Sequence, residues 1–210
     1  MTRILIADDF AVVRHGLRQI LAEAIEGAVF GEAADGAEAL RKALAEDWDL
    51  LVLDIALPVM TGLDVLKELR RKRTALPILV LSMYPEEQFA VRALRAGADG
   101  YVTKKVAAAD LVTAVKRVLA GGKHVSPALA ERLVGELGLG AGRAPHELLS
   151  DREFQVFRLL AAGNTVTAAA VTLGLSVTTV STYRTRILEK MGMAENSDLV
   201  QYAIVNRIFE

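Results

Sequence analysis

The sequence predicts two unlike folds in one chain: an α/β doubly wound five-stranded parallel sheet, then an all-α domain of four short helices. Three observations carry the prediction. Five short apolar runs alternate with amphipathic stretches over the first 120 residues. A segment rich in glycine, Gly138-Leu-Gly-Ala-Gly142-Arg-Ala-Pro145, follows. Beyond it the apolar spacing is helical throughout.

The runs are Ile4-Leu5-Ile6-Ala7, Ala28-Val29-Phe30, Leu50-Leu51-Val52-Leu53, Ile78-Leu79-Val80-Leu81 and Gly100-Tyr101-Val102. Runs this short and this apolar predict strands buried on both faces. Stretches near 10–24, 36–46, 62–73, 86–96 and 108–120 carry helical spacing. Their alternation with strands implies helices on both sides of a parallel sheet. Gly121-Gly122 closes the last of them. Ser126 caps a short helical stretch reaching about Leu137, with Pro127 in its first turn. The glycine run then reads as a flexible linker. Ser150-Asp-Arg-Glu153 is a capping box for a helix to about Ala162. A short helix at 166–173 breaks at Gly174. Ser176 caps a longer one that ends at Gly192, after Met191. A last helix covers about 197–208. The implied domains are 1–121, a linker with a short helix at 122–147, and 148–210.

Composition narrows the function classes. With 25 basic and 26 acidic residues the net charge is -1, which excludes a uniformly basic nucleic-acid coat. A local patch can still bind DNA. No cysteine is present, so there is no disulfide framework, zinc knuckle or thiol nucleophile. No apolar run reaches the ~18–20 residues of a membrane span. The start, which runs straight into Asp8-Asp9, lacks a signal-peptide layout. A cytoplasmic protein with no membrane partner is expected.

The strand ends carry the chemistry. Asp8 and Asp9 follow the first run, Asp54 the third, Ser82 the fourth, and Lys104 lies just past the fifth. An open parallel sheet binds ligands outside the carboxyl ends of its strands. Three carboxylates gathered there need a counter-charge, and a hard cation such as Mg2+ supplies it with oxygen ligands. A lysine and a hydroxyl beside them suit phosphoryl oxygens. An aspartate can itself hold the phosphoryl group as an acyl phosphate. Each residue alone reads more simply as a cap or a solvated charge. The set at four strand ends does not.

Residues 1–120 resemble a bacterial response-regulator receiver domain, which has a flavodoxin-like sheet. The matching pieces are Ile6-Ala7-Asp8-Asp9-Phe10, Leu53-Asp54-Ile-Ala-Leu-Pro58-Val-Met-Thr-Gly62, Leu81-Ser82-Met83 and Gly97-Ala-Asp-Gly-Tyr101-Val-Thr-Lys104. The resemblance implies that Asp54 accepts phosphate from a sensor histidine kinase. It also implies that Asp9, Asp54 and the carbonyl of Ala56 hold magnesium, with Asp8 acting mainly through water. Ser82 and Lys104 would contact the phosphoryl oxygens. Ser82 and Tyr101 would form the switch, the hydroxyl moving toward phosphate and the ring turning inward behind it.

In the second domain, Leu173-Gly174-Leu175-Ser176 joins a short helix to a longer one, the shape of a helix-turn-helix. Val180 and Ile187 stand seven apart as a buried face requires, which leaves Ser181, Arg184, Thr185 and Lys190 pointing outward. Leu149-Ser-Asp-Arg-Glu153 and the segment Ser176–Gly192 resemble the NarL/FixJ group with a LuxR-type helix-turn-helix. This implies base contacts from Ser181, Thr182 and Thr185, backbone contacts from Thr179, Arg184 and Lys190, and a sugar-phosphate contact from Tyr183. It also implies a homodimer on activation, through the last helix at Leu199, Val200, Ala203 and Ile204. The partners are then double-stranded DNA, a second copy of the chain and RNA polymerase. Two departures stand out. Val166-Thr-Ala-Ala-Ala170 lacks the family's lysine-glutamate-isoleucine run, and residues 148–210 hold six basic and six acidic residues. One subunit should therefore bind DNA weakly and with a steep salt dependence.

The three histidines show no metal-ligand spacing, and His15 is expected to be exposed. Arg70-Arg71-Lys72-Arg73 ends a helix, where cations complement the dipole and solvate freely. Two other classes compete. A phosphatase of the haloacid dehalogenase type needs a second acid where Ala56 stands. A phosphorylation-independent regulator has no use for the intact set of Asp8, Asp9, Asp54, Ser82 and Lys104.

Overall fold

A computed structural model describes residues 1–72, 75–131 and 144–209. The chain divides into two compact units, Met1–Leu139 and Gly140–Glu210. The glycine run at 138–142, the helical stretch beyond residue 131 and Arg73 of the charge run lie outside the described residues.

In the first unit the apolar runs form β1 (Arg3–Ala7), β2 (Val29–Ala33), β3 (Leu50–Leu53), β4 (Ile78–Ser82) and β5 (Gly100–Thr103). Between and after them lie α1 (Ala11–Ala24), α2 (Gly36–Ala45), α3 (Gly62–Lys72), α4 (Glu86–Arg95) and α5 (Ala108–Leu119). The strands are all parallel, in the order β2-β1-β3-β4-β5. Ile4, Ile6, Val52, Leu79 and Leu81 pack with Leu17 and Leu21 of α1 and Leu111, Val115 and Val118 of α5. Alternate residues such as Leu5, Leu51 and Val80 are buried as completely. Burial on both faces is why β1, β3 and β4 read as unbroken apolar runs rather than alternating ones; the edge strand β2 departs from that expectation, with Val29 exposed and Phe30 to Glu32 half-buried.

The switch in strand order falls between β1 and β3, which opens the crevice where such sheets bind ligands. Backbone hydrogen bonds continue the ladder past the strands: Asp54 N to Ala7 O at 2.9 Å, and Lys104 N to Ser82 O at 2.8 Å. That register sets Asp8 beside Asp54, and Lys104 beside Ser82. Gly62 starts α3 against this row. A Cβ there would stand 2.0 Å from the Asp54 carbonyl oxygen, so only glycine fits. After α5 the chain returns to the sheet: His124 pairs with Gly100 at the edge of β5. Ser126 then caps the helix begun at residue 127, and its hydroxyl donates to Glu86 at 2.6 Å. The first residues of the segment read as linker thus pack on the first unit.

The second unit holds a 3-10 turn (Pro145–Leu148), α6 (Asp151–Ala161), α7 (Val166–Leu173), α8 (Val177–Met191) and α9 (Asn196–Val205). The expected capping box is present, with Ser150 and Glu153 exchanging hydrogen bonds. Gly174 and Gly192 end α7 and α8 at φ 62° and 67°, where a side chain would be strained. Phe154, Val156, Phe157, Ala169, Val180, Ile187 and Leu199 are buried. Among the described residues no single helix is long and apolar enough to cross a membrane.

Candidate functional site

The strand ends bring Asp8, Asp9 and Asp54 together, each offering a carboxylate oxygen within 4.8 Å of the others. Asp8 and Asp54 are 1% and 4% exposed, whereas Asp9 faces solvent. Lys104 reaches over from the end of β5. Its Nζ lies 2.8 Å from Asp54 Oδ2 and also pairs with Asp8. Burial raises the Asp54 carboxyl above its usual range although Lys104 opposes it. Burial works against the Lys104 charge too, but Asp54 and Asp8 outweigh it and lift the ammonium above its usual value. Asp9 is raised by desolvation and then by Asp8. The cluster holds more negative than positive charge, so it suits a hard divalent cation with oxygen ligands.

The loops around it are shaped by local bonds. Asp54 Oδ1 accepts the amide of Ala56 at 3.2 Å, and Asp8 Oδ1 accepts that of Phe10 at 3.0 Å. Arg14 was not singled out in the sequence, yet it braces the acidic loop. Its Nη1 donates to the carbonyls of Asp8 at 2.8 Å and Asp9 at 3.4 Å, and its Nε meets Glu32 at 3.0 Å. The only local signal was an arginine one turn into α1. Phe10, Val59 and Met83 project from the loops after β1, β3 and β4 and are exposed. Val59 does so at φ 66°, a strained conformation for a β-branched residue.

Ser82 is fully buried, and its Oγ accepts the Tyr84 amide at 3.2 Å. Tyr101 lies inward. Its hydroxyl donates to the Tyr84 carbonyl at 2.8 Å, while the Tyr84 ring stacks on Phe89 at 4.5 Å. Ser82 and Tyr101 therefore meet at a common residue, Tyr84.

In the second unit the Ser176 hydroxyl accepts the Thr179 amide at 3.0 Å and starts α8. Val180, Ile187, Leu188 and Met191 turn inward. Thr178, Ser181, Thr182, Thr185, Arg186 and Lys190 are exposed, and Thr179, Tyr183 and Arg184 are half-buried. A concave surface is lined by Ser176, Thr178, Thr179, Thr182, Tyr183 and Arg186. Arg186 is missing from the sequence reading. Its spacing from Thr179 and Tyr183, seven and three residues, was the available signal.

Two predicted contacts are partly committed elsewhere. Arg184 Nε donates to Asn196 Oδ1 at 2.6 Å. Lys190 Nζ lies 2.6 Å from Glu153 Oε2. Burial alone would raise Glu153, but hydrogen bonds from Lys190 and the Ser150 backbone hold it below its usual range. The last helix needs a correction. Leu199 and Ala203 are fully buried because they form the face of α9 that packs on the domain, so they cannot meet a partner. Val200 is half-buried, and Ile204 and Val205 are the apolar side chains left exposed. His15 is exposed as expected.

Comparison with known proteins matches both units to families. Residues 4–116 match the response regulator receiver domain, and residues 147–203 match the bacterial regulatory proteins of the luxR family. The chain is 33% identical over 205 residues to the response regulator GacA of Pseudomonas viridiflava, covering 97% of this chain and 96% of that one. It is 33% identical over 215 residues to the oxygen regulatory protein NreC of Staphylococcus carnosus, covering 99% of each. Among solved structures, RcsB of Salmonella enterica serovar Typhimurium, bound to promoter rprA with the phosphomimetic BeF3-, is 28% identical. Its TM-score is 0.61 over 96% of this chain and 98% of that one. A LuxR-family two-component response regulator from Aurantimonas sp. SI85-9A1 is 37% identical with a TM-score of 0.59, covering 66% of this chain and all of that one. The chain belongs to the two-component response regulators that join a receiver domain to a LuxR-type helix-turn-helix, a family of DNA-binding transcription regulators rather than turnover enzymes.

Proposed function

We propose that Asp54 accepts a phosphoryl group from a sensor histidine kinase and that this controls dimerisation and sequence-specific DNA binding. The observation that carries the reading is the buried pairing of Lys104 with Asp54 and Asp8 beside solvent-facing Asp9. In the transfer, an Asp54 oxygen bonds phosphorus, the phosphorus–nitrogen bond of phosphohistidine breaks, and the imidazole leaves with a proton. Asp9, Asp54 and the carbonyl of Ala56 would hold Mg2+ directly, with Asp8 acting mainly through water. Bound there, the ion neutralises charge on the phosphoryl oxygens. Lys104 would exchange a carboxylate for a phosphoryl oxygen. Ser82 would leave the Tyr84 amide for another. The exposed Phe10, Val59 and Met83 around the site suit a protein donor better than a small one.

The output is assigned to α8, with Ser181, Thr182 and Thr185 at base edges and Thr179, Tyr183, Arg184 and Lys190 toward the backbone. Two copies would pair through Val200, Ile204 and Val205 of α9. RcsB, 29% identical in a structure of two dimers bound to two parallel DNAs, supports this arrangement. In this reading the receiver domain covers 1–121 and the DNA-binding domain 148–210, with a linker at 122–147 whose first residues rest on the receiver, and the protein works in the cytoplasm with RNA polymerase as a further partner.

Intact-protein mass after incubation with acetyl phosphate and Mg2+ tests the reading. The wild type should gain one phosphate and Asp54→Asn none. No gain by the wild type, with acetyl phosphate or with a phosphorylated kinase, would leave a regulator that works through protein contacts alone.

A further inference from the structure

Three basic side chains stand on α8, and the structure treats them differently. Lys190 is neutralised by the buried carboxylate of Glu153, and Arg184 gives its Nε to Asn196. Arg186 is exposed and has no hydrogen-bond or ion-pair partner among the described residues. It lies on the concave surface with Thr179, Thr182 and Tyr183. These are seven, four and three residues before it, so all four share one helix face. Side chains on a helix lean toward its N-terminus, which carries the guanidinium over Thr182 and Tyr183.

Two hydroxyls of that helix have no proton left for DNA oxygens. The Thr182 Oγ1 donates to the Thr178 carbonyl at 3.0 Å, and that of Thr185 to the Ser181 carbonyl at 3.3 Å. Their protons are used within the helix, so they offer acceptors and methyl groups outward. A phosphate offers acceptors only. A guanidinium carries five donors, and that of Arg186 has none engaged among the described residues.

We propose that Arg186 is a DNA phosphate contact of α8, additional to the contacts assigned above; this rests on the DNA-binding reading. Its position favours phosphate over bases. Two of its three neighbours on that helix face, Thr179 and Tyr183, are the ones assigned to the DNA backbone.

The test uses the full-length chain treated with acetyl phosphate and a fluorescent duplex enriched by the wild type from a random pool. Anisotropy titrations are run across a series of KCl concentrations. Arg186→Ala should weaken binding about tenfold, and the slope of log affinity against log salt should fall by about one per subunit. Arg186→Lys should restore most of the slope, since the charge remains. The melting temperature of both variants should match the wild type. Unchanged affinity and slope in Arg186→Ala overturn the proposal. So does a full slope with lost preference at one base pair, which marks a base contact, and so does a lowered melting temperature, which marks a structural role. A wild type that enriches no duplex overturns the DNA-binding reading itself, and this one with it.

Discussion

The acidic cleft of the first unit and the outer face of α8 in the second both gather polar side chains, but they satisfy them differently. In the cleft Asp8, Asp54 and Ser82 are buried, and Lys104 serves two carboxylates at once. On α8 Thr178, Ser181, Thr182 and Thr185 are exposed, two of their hydroxyls turn their protons inward, and Arg186 stays open. A buried site must be complete before its ligand arrives, because an unpaired charge there is expensive. An exposed face can wait, since water satisfies it until DNA displaces the water. The first therefore couples stability to chemistry, and the second separates them.

Lys104→Ala should strike this comparison hardest. It leaves two carboxylates buried without their cation and should cost about 3–5 kcal/mol. Urea unfolding followed by the single tryptophan, Trp48, reads the first unit alone. Added Mg2+ should recover part of the loss. A cost below ~1 kcal/mol would mean that water already reaches the pair, and the contrast between the units would go.

Within the second unit, α9 sharpens the same point. Leu199→Ala should destabilise by about 2–5 kcal/mol, as a large-to-small change in a core does. Ile204→Ala should stay within ~0.5 kcal/mol but weaken self-association, measured by sedimentation of the acetyl phosphate-treated chain. Equal melting temperatures for the two variants would refute the division of α9 into an inner and an outer face.

Glu153→Gln should cost about 1–2 kcal/mol by weakening the bonds to Lys190 and Ser150. Its native carboxyl sits below the ordinary glutamate value of 4.5. Its stabilisation is thus complete above that value and fades as pH falls through the lower native one. Chemical unfolding of the second unit, monitored by circular dichroism, should show that acid-dependent loss in the wild type and less of it in the variant. The smallest effect is expected at the cleft rim. Val59→Gly relieves a left-handed β-branched residue and should stabilise by less than ~1 kcal/mol, after the entropic cost of glycine.

The strand ends were legible because a strand and the residue after it are neighbours in sequence, and parallel strands deliver those residues to one edge. Capping boxes were legible for the same reason. Glu153 could be read as a cap, yet its bond to Lys190 spans 37 residues and left no local trace. The pairing of Arg184 with Asn196 across 12 residues is similar. Leu199 and Ile204 look alike in an amphipathic pattern, and the pattern alone did not say which one the core would claim. Arg186 had the right helical spacing, but spacing alone did not show that it would stay open while Arg184 and Lys190 found partners.

By itself the sequence determined the order of strands and helices, the carboxylates, hydroxyl and lysine at the sheet edge, and the helix-turn-helix. These follow from periodicity, capping and the chemistry of single residues. Only the tertiary structure decided that Lys104 bridges Asp8 and Asp54, that Tyr84 joins Ser82 to Tyr101, and that Lys190 is engaged while Arg186 is open. Those are pairings between distant segments. Charges and hydrogen-bonding groups choose partners by distance and burial, and both exist only once the chain has packed.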